Sequence, residues 1–531
     1  MPIPIIDLFA GPGGLGEGFS SVLDHDGKPA FRIGLSIEKE ASAHKTLTLR
    51  SVYRLLKGTP AIEHYYAYAR GEISADEFQS IPTVAAAFAH AGKEARAYEL
   101  GKTSEAQIDA EISAVLKGRQ DWLLIGGPPC QAYSLAGRAR RTNDVNFQAD
   151  EKHFLYREYL RIIRVHKPAV FVMENVKGLL TSKHSGAHMF DRILADLSCP
   201  EPGTEYEIRS FTKSEVLAPE DYVIETERFG IPQTRHRIIL FGVRKGLGFS
   251  AHTLLRETTP HVGVKEAIGD LPRIRSRLSR TEDTLENWRS ILKNSAALIE
   301  DWDTSEVQNM VDCMDAAAHS GRAPESSGSS FFPYPPKRRP APQELADWVV
   351  RPDFGGISHH ESRAHMDSDL SRYLFAASFT KLHGRSPRLG SYPPALLPDH
   401  KNAVAAEGKT SIPFKDRFRV QCENEPSSTI VSHIAKDGHY YIHYDPSQCR
   451  SLTVREAARL QTFPDDYFFE GNRTERYTQV GNAVPPLLAY KLGSIVFGLM
   501  EKRTKPTIEE KKQATVRRIP ALAKRPVCTS K

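Results

Sequence analysis

The stretch Gly126-Gly127-Pro128-Pro129-Cys130-Gln131 follows directly on the apolar run Trp122-Leu123-Leu124-Ile125, which sets a lone thiol at the carboxyl end of a predicted buried strand. Glycines there allow close approach of a substrate or cofactor, and two prolines fix the backbone just before Cys130. A free cysteine is most often a small buried hydrophobe, so a nucleophilic role rests on what else the chain supplies. Glu174, in Glu174-Asn175-Val176, closes a second apolar run, Ala169-Val170-Phe171-Val172-Met173, and brings a carboxylate to the same edge. Its bland alternative is to cap a helix. Gln233-Thr234-Arg235-His236-Arg237 sets Arg235 and Arg237 on one face of a strand, because strand side chains alternate with period two. Paired arginines suit an anion or a carbonyl oxygen, and a structural salt bridge is their ordinary use.

These groups need a frame. Pro4-Ile5-Ile6-Asp7-Leu8-Phe9 reads as a short buried strand, followed by the glycine turn and helix start Ala10-Gly11-Pro12-Gly13-Gly14-Leu15-Gly16-Glu17-Gly18-Phe19. A second strand, Phe31-Arg32-Ile33-Gly34-Leu35-Ser36-Ile37, ends at Glu38, whose carboxylate can accept from two ribose hydroxyls. Such a turn fits a nicotinamide cofactor about as well as a nucleoside sulfonium. Phe9 sits where an adenine can stack and Pro12 interrupts the dinucleotide fingerprint, which favours a single-nucleoside cofactor. With the runs at 122–125, 169–173 and 237–243 separated by helical segments, the chain predicts a doubly wound, mostly parallel α/β sheet with its site at the strands' carboxyl ends.

The composition is ordinary for a globular protein. No run approaches 18 apolar residues and no basic region precedes an apolar stretch at the N-terminus, so neither a membrane span nor a signal peptide is expected, and the location is expected to be cytoplasmic. Cys130, Cys199, Cys313, Cys422, Cys449 and Cys528 show no Cys-x-x-Cys spacing, which argues against a disulfide framework and a cysteine-rich zinc site. The net charge is +6, but residues 502–531 carry ten Lys or Arg against Glu509 and Glu510, so with +8 in the tail the rest of the chain sums to −2. Overall charge therefore says little about nucleic acid. Local clusters at 138–141, 336–339 and 415–419 are better candidates for phosphate contact, although each alone is more often a solvated face.

After about Gly246, charged helical stretches run to about His319, and residues 320–342, rich in Ser, Pro and Gly, read as a linker or exposed loop. From there to about Arg450 the sequence is irregular, with a hairpin expected from residues 427–433 and 440–444. His359-His360-Glu361 with His365 suggests a metal, but on a helix positions 360 and 365 point about 140° apart, and no metal is expected. Apolar helical character returns from Leu452, and a last helix is expected from about Pro486 to Met500.

In Gly-Pro-Pro-Cys-Gln at 127–131, Glu174-Asn175-Val176, Gln-x-Arg-x-Arg at 233–237 and Gly481-Asn482-Ala483-Val484, the chain resembles a cytosine-5 DNA methyltransferase of the bacterial restriction-modification kind. The likeness covers 3–50, 121–180, 222–245, 264–272 and 425–495, in family order; between Glu38 and Asp121 the chain departs from the pattern with a long insert. The resemblance implies S-adenosylmethionine as cofactor, held by Phe9, Gly11, Gly13, Gly14, Glu38 and Pro129, with Asn482 closing the pocket. It implies Cys130 as nucleophile, assisted by Glu174, Arg235 and Arg237, and double-stranded DNA as partner, met by Gln131, Ser134, Arg138, Gln233, Arg417 and Arg419. Residues 132–150 have the length and small residues of a lid over DNA.

The chemistry agrees. Cytosine C5 is a poor nucleophile until a thiolate adds at C6, and a carboxyl that shares a proton with N3 neutralises the developing charge. A base inside a duplex must first be flipped out. The implied organisation is a catalytic domain at 1–272, a target-recognition domain at 273–450, a return to the catalytic domain at 451–502 and a basic, disordered tail at 503–531. A monomer is expected, with a restriction endonuclease acting on the same site and no physical contact implied. The rivals are a tRNA cytosine-5 methyltransferase, disfavoured by the long 273–450 segment, and a catalytically idle DNA-binding regulator, disfavoured by the complete set of catalytic residues. An exocyclic-amine methyltransferase would carry an aromatic residue where Cys130 stands, and a nicotinamide oxidoreductase would bind its own cofactor in place of S-adenosylmethionine.

Overall fold

The computed structural model describes residues 1–129, 155–184, 187–319, 324–334, 340–398 and 416–502. Its centre is a strand, β1 (Ile3–Leu8), whose near-continuous apolar run is buried on both sides, as an inner strand of a parallel sheet requires. β2 (Phe31–Ile37) and β4 (Leu123–Gly126) flank it in parallel, with β3 (Ala95–Arg96) beyond β2 and β5 (Val170–Val176) beyond β4. β6 (Tyr206–Arg209), β7 (Val223–Glu225) and β8 (His236–Arg244) complete the order β3-β2-β1-β4-β5-β8-β6, with β7 also on β8. β8 alone is reversed, antiparallel to each of its neighbours. The sheet is thus the doubly wound, mostly parallel one expected from the sequence.

Alternation along the strands feeds two cores. Ile5, Leu123, Ile125, Val172 and Ile239 face one side, where α1 (Gly14–Ser20) and the helix Pro486–Glu501 cover them. Ile6, Leu8, Leu124, Phe171 and Leu240 face the other, beneath the helices Glu105–Leu116, Leu155–His166 and Met189–Ser198. The chain ends meet through glycine: a Cβ on Gly14 would lie 2.3 Å from Val484 O, and one on Gly18 2.4 Å from Pro486 O. The stretch Arg473–Glu501 is long and apolar enough to cross a membrane, but 72% of its apolar window is buried inside the fold.

The insert after Glu38 is a helical unit. Its helices α2 (Ala41–Leu56), Ile62–Arg70, Ala75–Ser80 and Pro82–Glu94 gather Tyr53, Tyr65, Tyr66, Phe78 and Val84 around Phe354, with Phe331 and Phe468 packed against them. Within 273–450, Trp288, Met314, Leu374, Phe375, Tyr392 and Phe418 form a further core. Leu345, Val349 and Ile357 from the same span enter the core under α1 instead.

Three expectations are corrected. Residues 328–333, expected in a linker or loop, form the strand Gly328–Pro333 antiparallel to Gly356–Glu361, because Phe331 and Phe332 find Phe354 and His360 to pack on. The hairpin does not form: Ser427–Ser428 pairs in parallel with Gln233–Thr234, and Ile442 bridges Val420 and Ser451. The two expected arms meet instead through Tyr441, whose hydroxyl donates to Thr429 O at 2.8 Å and accepts from Val431 N at 3.2 Å. His359 and His360 lie on the strand Gly356–Glu361 and His365 on the strand Ala364–His365, so the helical geometry weighed for positions 360 and 365 does not apply. Their rings are buried ties: His359 Nε2 accepts from Phe469 N at 3.1 Å, and the His360 ring nitrogens stand 2.7 Å from Pro272 O and 3.0 Å from Thr453 Oγ1. His365 Nε2 lies 3.1 Å from Ser451 Oγ. Among the described residues no group of three His, Cys, Asp or Glu is arranged to hold a metal.

Candidate active site

The glycine turn leaves β1 with left-handed backbone at Phe9 (φ 56°), Gly11 (φ 57°) and Gly13 (φ 97°). Gly11 N donates to Glu38 Oε2 at 2.7 Å, and Glu40 N to Glu38 Oε1 at 2.7 Å, so the carboxylate at the end of β2 is aimed at the turn. In front of Gly11 a Cβ would meet nothing within 4 Å, whereas Gly13 is backed at 3.0 Å by Leu47 Cδ1 and Tyr467 Oη. The turn therefore has a packed back and an open front. Beneath it Asp7 is fully buried with neither carboxylate oxygen hydrogen-bonded. Burial pushes its carboxyl well above the ordinary range, against the pull of Arg54. An open glycine turn with the Glu38 carboxylate aimed at it fits a nucleoside-bearing group.

Asn482 is the exposed last residue of the helix Arg473–Asn482 and stands two positions before Val484, whose carbonyl rests on Gly14. The structure so brings Phe9, Gly11, Gly13, Gly14 and Glu38 together around one turn, with Asn482 beside it.

At the next strand mouth, β4 runs into Gly127, Pro128 and Pro129, where the described segment stops; Cys130, Gln131, Ser134 and Arg138, with the expected lid at 132–150, lie outside the described residues. A Cβ on Gly127 would sit 2.9 Å from Glu174 Oε2, so glycine is what admits the carboxylate. Asn175 Nδ2 donates to Pro128 O at 3.3 Å while its Oδ1 accepts from Val176 N at 2.8 Å, tying the approach to Cys130 onto the end of β5. The sequence displayed Asn175 beside Glu174 but gave no reason to assign it this role.

Arg237 comes from β8, and its Nε lies 2.9 Å from Glu174 Oε1, with both side chains 14% exposed. The ion pair is close, but its N–H is not directed at the oxygen. Arg237 Nη1 donates to His236 O at 2.9 Å. Arg235 does not share a strand face with Arg237: it falls in the break before β8, buried, and donates to Ile430 O at 2.9 Å and Gly481 O at 3.3 Å. Burial, then the charge of Arg237, lower its pKa, yet a guanidinium stays protonated near neutral pH. Gln233, expected on DNA, is instead fully buried: Nε2 donates to Leu460 O at 3.0 Å and Gln461 Oε1 at 2.7 Å, and Oε1 accepts from Ile430 N at 3.0 Å. With its amide spent on three partners in two distant segments it is a core tie. Arg417 stands 3.6 Å from Asp437 and Arg419 2.8 Å from Asp416, both partly exposed and away from the Glu174 mouth in sequence and contacts.

A family model for C-5 cytosine-specific DNA methylases matches residues 93–497. The chain belongs to that family. Type II methyltransferase M.Bpa9945I of Bacillus paralicheniformis is 33% identical over 511 residues, covering 91% of this chain and 96% of that protein. M.AgeI of Thalassovita gelatinovora is 25% identical over 519 residues, with 92% and 98% covered. Among solved structures, one assigned to DNA modification from an E. coli prophage covers 94% of this chain and 100% of its own at TM-score 0.53 and 18% identity, a likeness of fold. The methylase is thus an S-adenosylmethionine-dependent DNA (cytosine-5-)-methyltransferase, a class that acts on DNA.

Proposed function

We propose that this methylase modifies C5 of a cytosine flipped out of one specific duplex DNA sequence, through a covalent bond from Cys130 to C6, as the modification half of a type II restriction-modification system in the cytoplasm. The observation that carries the reading is the Glu174–Arg237 pair at the mouth of β5, beside the glycine and prolines that lead to Cys130. Bound S-adenosylmethionine supplies a methyl group on a sulfonium, the electrophile that C5 needs.

Each residue then has a task. The Cys130 thiolate adds to C6, which makes C5 an enamine carbon. Glu174 shares a proton with N3 as electron density moves into the ring, and Arg237 holds Glu174 in place and faces the base oxygen. After transfer, loss of the C5 proton expels the Cys130 sulfur. Phe9, Gly11, Gly13, Gly14, Glu38, Pro129 and Asn482 hold the cofactor. Arg235 is a positioning residue, since its donors end on Ile430 O and Gly481 O. Residues 273–450 choose the sequence, with Arg417 and Arg419 as DNA contacts, because base-edge contacts specify while phosphate contacts position.

Mapping 5-methylcytosine in DNA from cells that express the chain tests this directly. One methylated motif is expected, lost in Cys130→Ser. Methylation by Cys130→Ser within tenfold of wild type, or modification of RNA alone, would overturn the reading.

A further inference from the structure

We propose that Tyr467 is a positioning residue for the cofactor: from behind the glycine turn, its hydroxyl fixes the peptide on which the open front depends. The inference rests on the assignment of that turn to S-adenosylmethionine.

Tyr467 is fully buried and donates to Pro12 O. The same peptide unit is held at its other end, where Gly13 N donates to Ala10 O at 3.0 Å. Ala10 N is taken by Ile37 O at 3.1 Å and Gly11 N by Glu38, while Pro12 has no N–H. Every backbone donor from 10 to 13 is thus fixed by the protein. Of the carbonyls, that of Pro12 is oriented by a side chain from 455 residues away. Gly13 has left-handed φ and no Cβ, so a neighbouring peptide there rotates at low steric cost; the Tyr467 hydroxyl selects one orientation.

The tyrosine itself is braced. The Arg50 guanidinium carbon lies 4.6 Å from the Tyr467 ring centre and 3.5 Å from that of Tyr53. Arg50 is paired on both sides, with Glu17 Oε1 at 2.6 Å and Asp466 Oδ1 at 3.3 Å. Glu17 belongs to α1, the helix that the turn opens, so the brace is anchored on the same element as the turn. Burial raises the phenol's pKa, which keeps it a donor at any working pH.

Phenylalanine at 467 keeps the ring and adds no atom. Y467F should raise the Kd for S-adenosylmethionine, measured by calorimetry, by about three- to tenfold, the equivalent of one buried hydrogen bond. The KM for DNA should stay within twofold. p-Aminophenylalanine at 467, which restores a donor, should recover the affinity, and p-fluorophenylalanine, which fills the site without donating, serves in place of Y467F if that protein does not fold. The control is Tyr477→Phe, because Tyr477 is equally buried and donates to Leu452 O at 2.6 Å, away from the turn. It should lower the melting temperature without changing the cofactor Kd. Equal loss of affinity in both variants would reduce Tyr467 to a stability role and overturn the proposal. Glu38→Ala separates the two layers: if it weakens binding and Y467F does not, the role of Tyr467 falls alone, and if neither does, the assignment of the turn falls with it.

Discussion

Arg237 Nε lies 2.9 Å from Glu174 Oε1 because β8 runs against β5. The register pairs Arg237 with Val176 and Ile239 with Glu174, so the first residues of β8 lie at the carboxyl end of β5. A parallel strand would have delivered Arg244 to that edge. The reversal of one strand is what lets a carboxylate and a guanidinium separated by 63 positions meet at the mouth of β5, against Gly127.

Arg237→Ala should therefore cost activity well beyond its effect on folding, since it leaves Glu174 without its cation. A loss of about 10²–10⁴ in kcat is expected for Glu174→Gln, the range for a positioned acid–base group, and a loss of the same order for Arg237→Ala. The double variant should be no worse than about tenfold below the poorer single one, because the residues act as a unit. Single-turnover methylation assays measure all three, and full multiplicativity would contradict a shared role.

Gly127→Ala should be inactive though folded. Its Cβ would come 2.9 Å from Glu174 Oε2 and push the carboxylate off the mouth, while the main cores are untouched. Circular dichroism should show a native melt within a few degrees of wild type. Retained activity above about one tenth would show that the Glu174 position is not critical.

The histidines make stability fall with acid. Burial is the first cause that lowers His360 to about 4, His365 to about 3 and His443 to about 3. Arg450 also opposes the charged form of all three, while Glu456 favours it at His360 and His443. Their folded pKa values lie below the unfolded value near 6.5, so the unfolded chain binds more protons between the two. The stability is full above about 6.5 and is lost as pH falls toward the folded values. Urea midpoints should drop steadily from pH 7 to 5.5, a window in which carboxylates of ordinary pKa barely titrate. A flat profile there would mean that these rings are already protonated or exposed.

The C-terminal return should be indispensable. Stopping the chain near residue 475 removes Val484, Pro486 and Ala489, the surface against which Gly14 and Gly18 rest, and should abolish S-adenosylmethionine binding. Stopping near 503 should leave the affinity nearly intact. Tight binding by a folded 1–475 chain in calorimetric titration would show that the turn stands without its C-terminal support.

The strand, turn and helix around Asp7 to Phe19 were legible because apolar runs, glycines and a following acidic residue are local signals, and the Pro486 helix announced its apolar face. Direction was not. Nothing in 236–244 says that the strand runs backwards, and only that reversal brings Arg237 to Glu174. Gln233 sits in a motif that suggested DNA, yet its burial depends on Leu460, Gln461 and Ile430, partners more than 190 positions away. His359 and His360 sit in a stretch that reads as irregular but are strand residues, because Gly328–Pro333 offers them a partner that composition marked as a loop. Tyr467 was invisible for the same reason, as its one hydroxyl bond crosses almost the whole chain.

A duplex carrying 5-fluorocytosine at the target position probes the covalent bond from Cys130 to cytosine C6. Fluorine cannot leave as a proton does, so the sulfur should stay attached once the methyl has been transferred. Mass spectrometry of the digested complex should find the nucleotide on the peptide that contains Cys130, only when S-adenosylmethionine is present. Turnover of the fluorinated duplex without an adduct, or an adduct on Cys199, Cys313, Cys422, Cys449 or Cys528, would contradict the account.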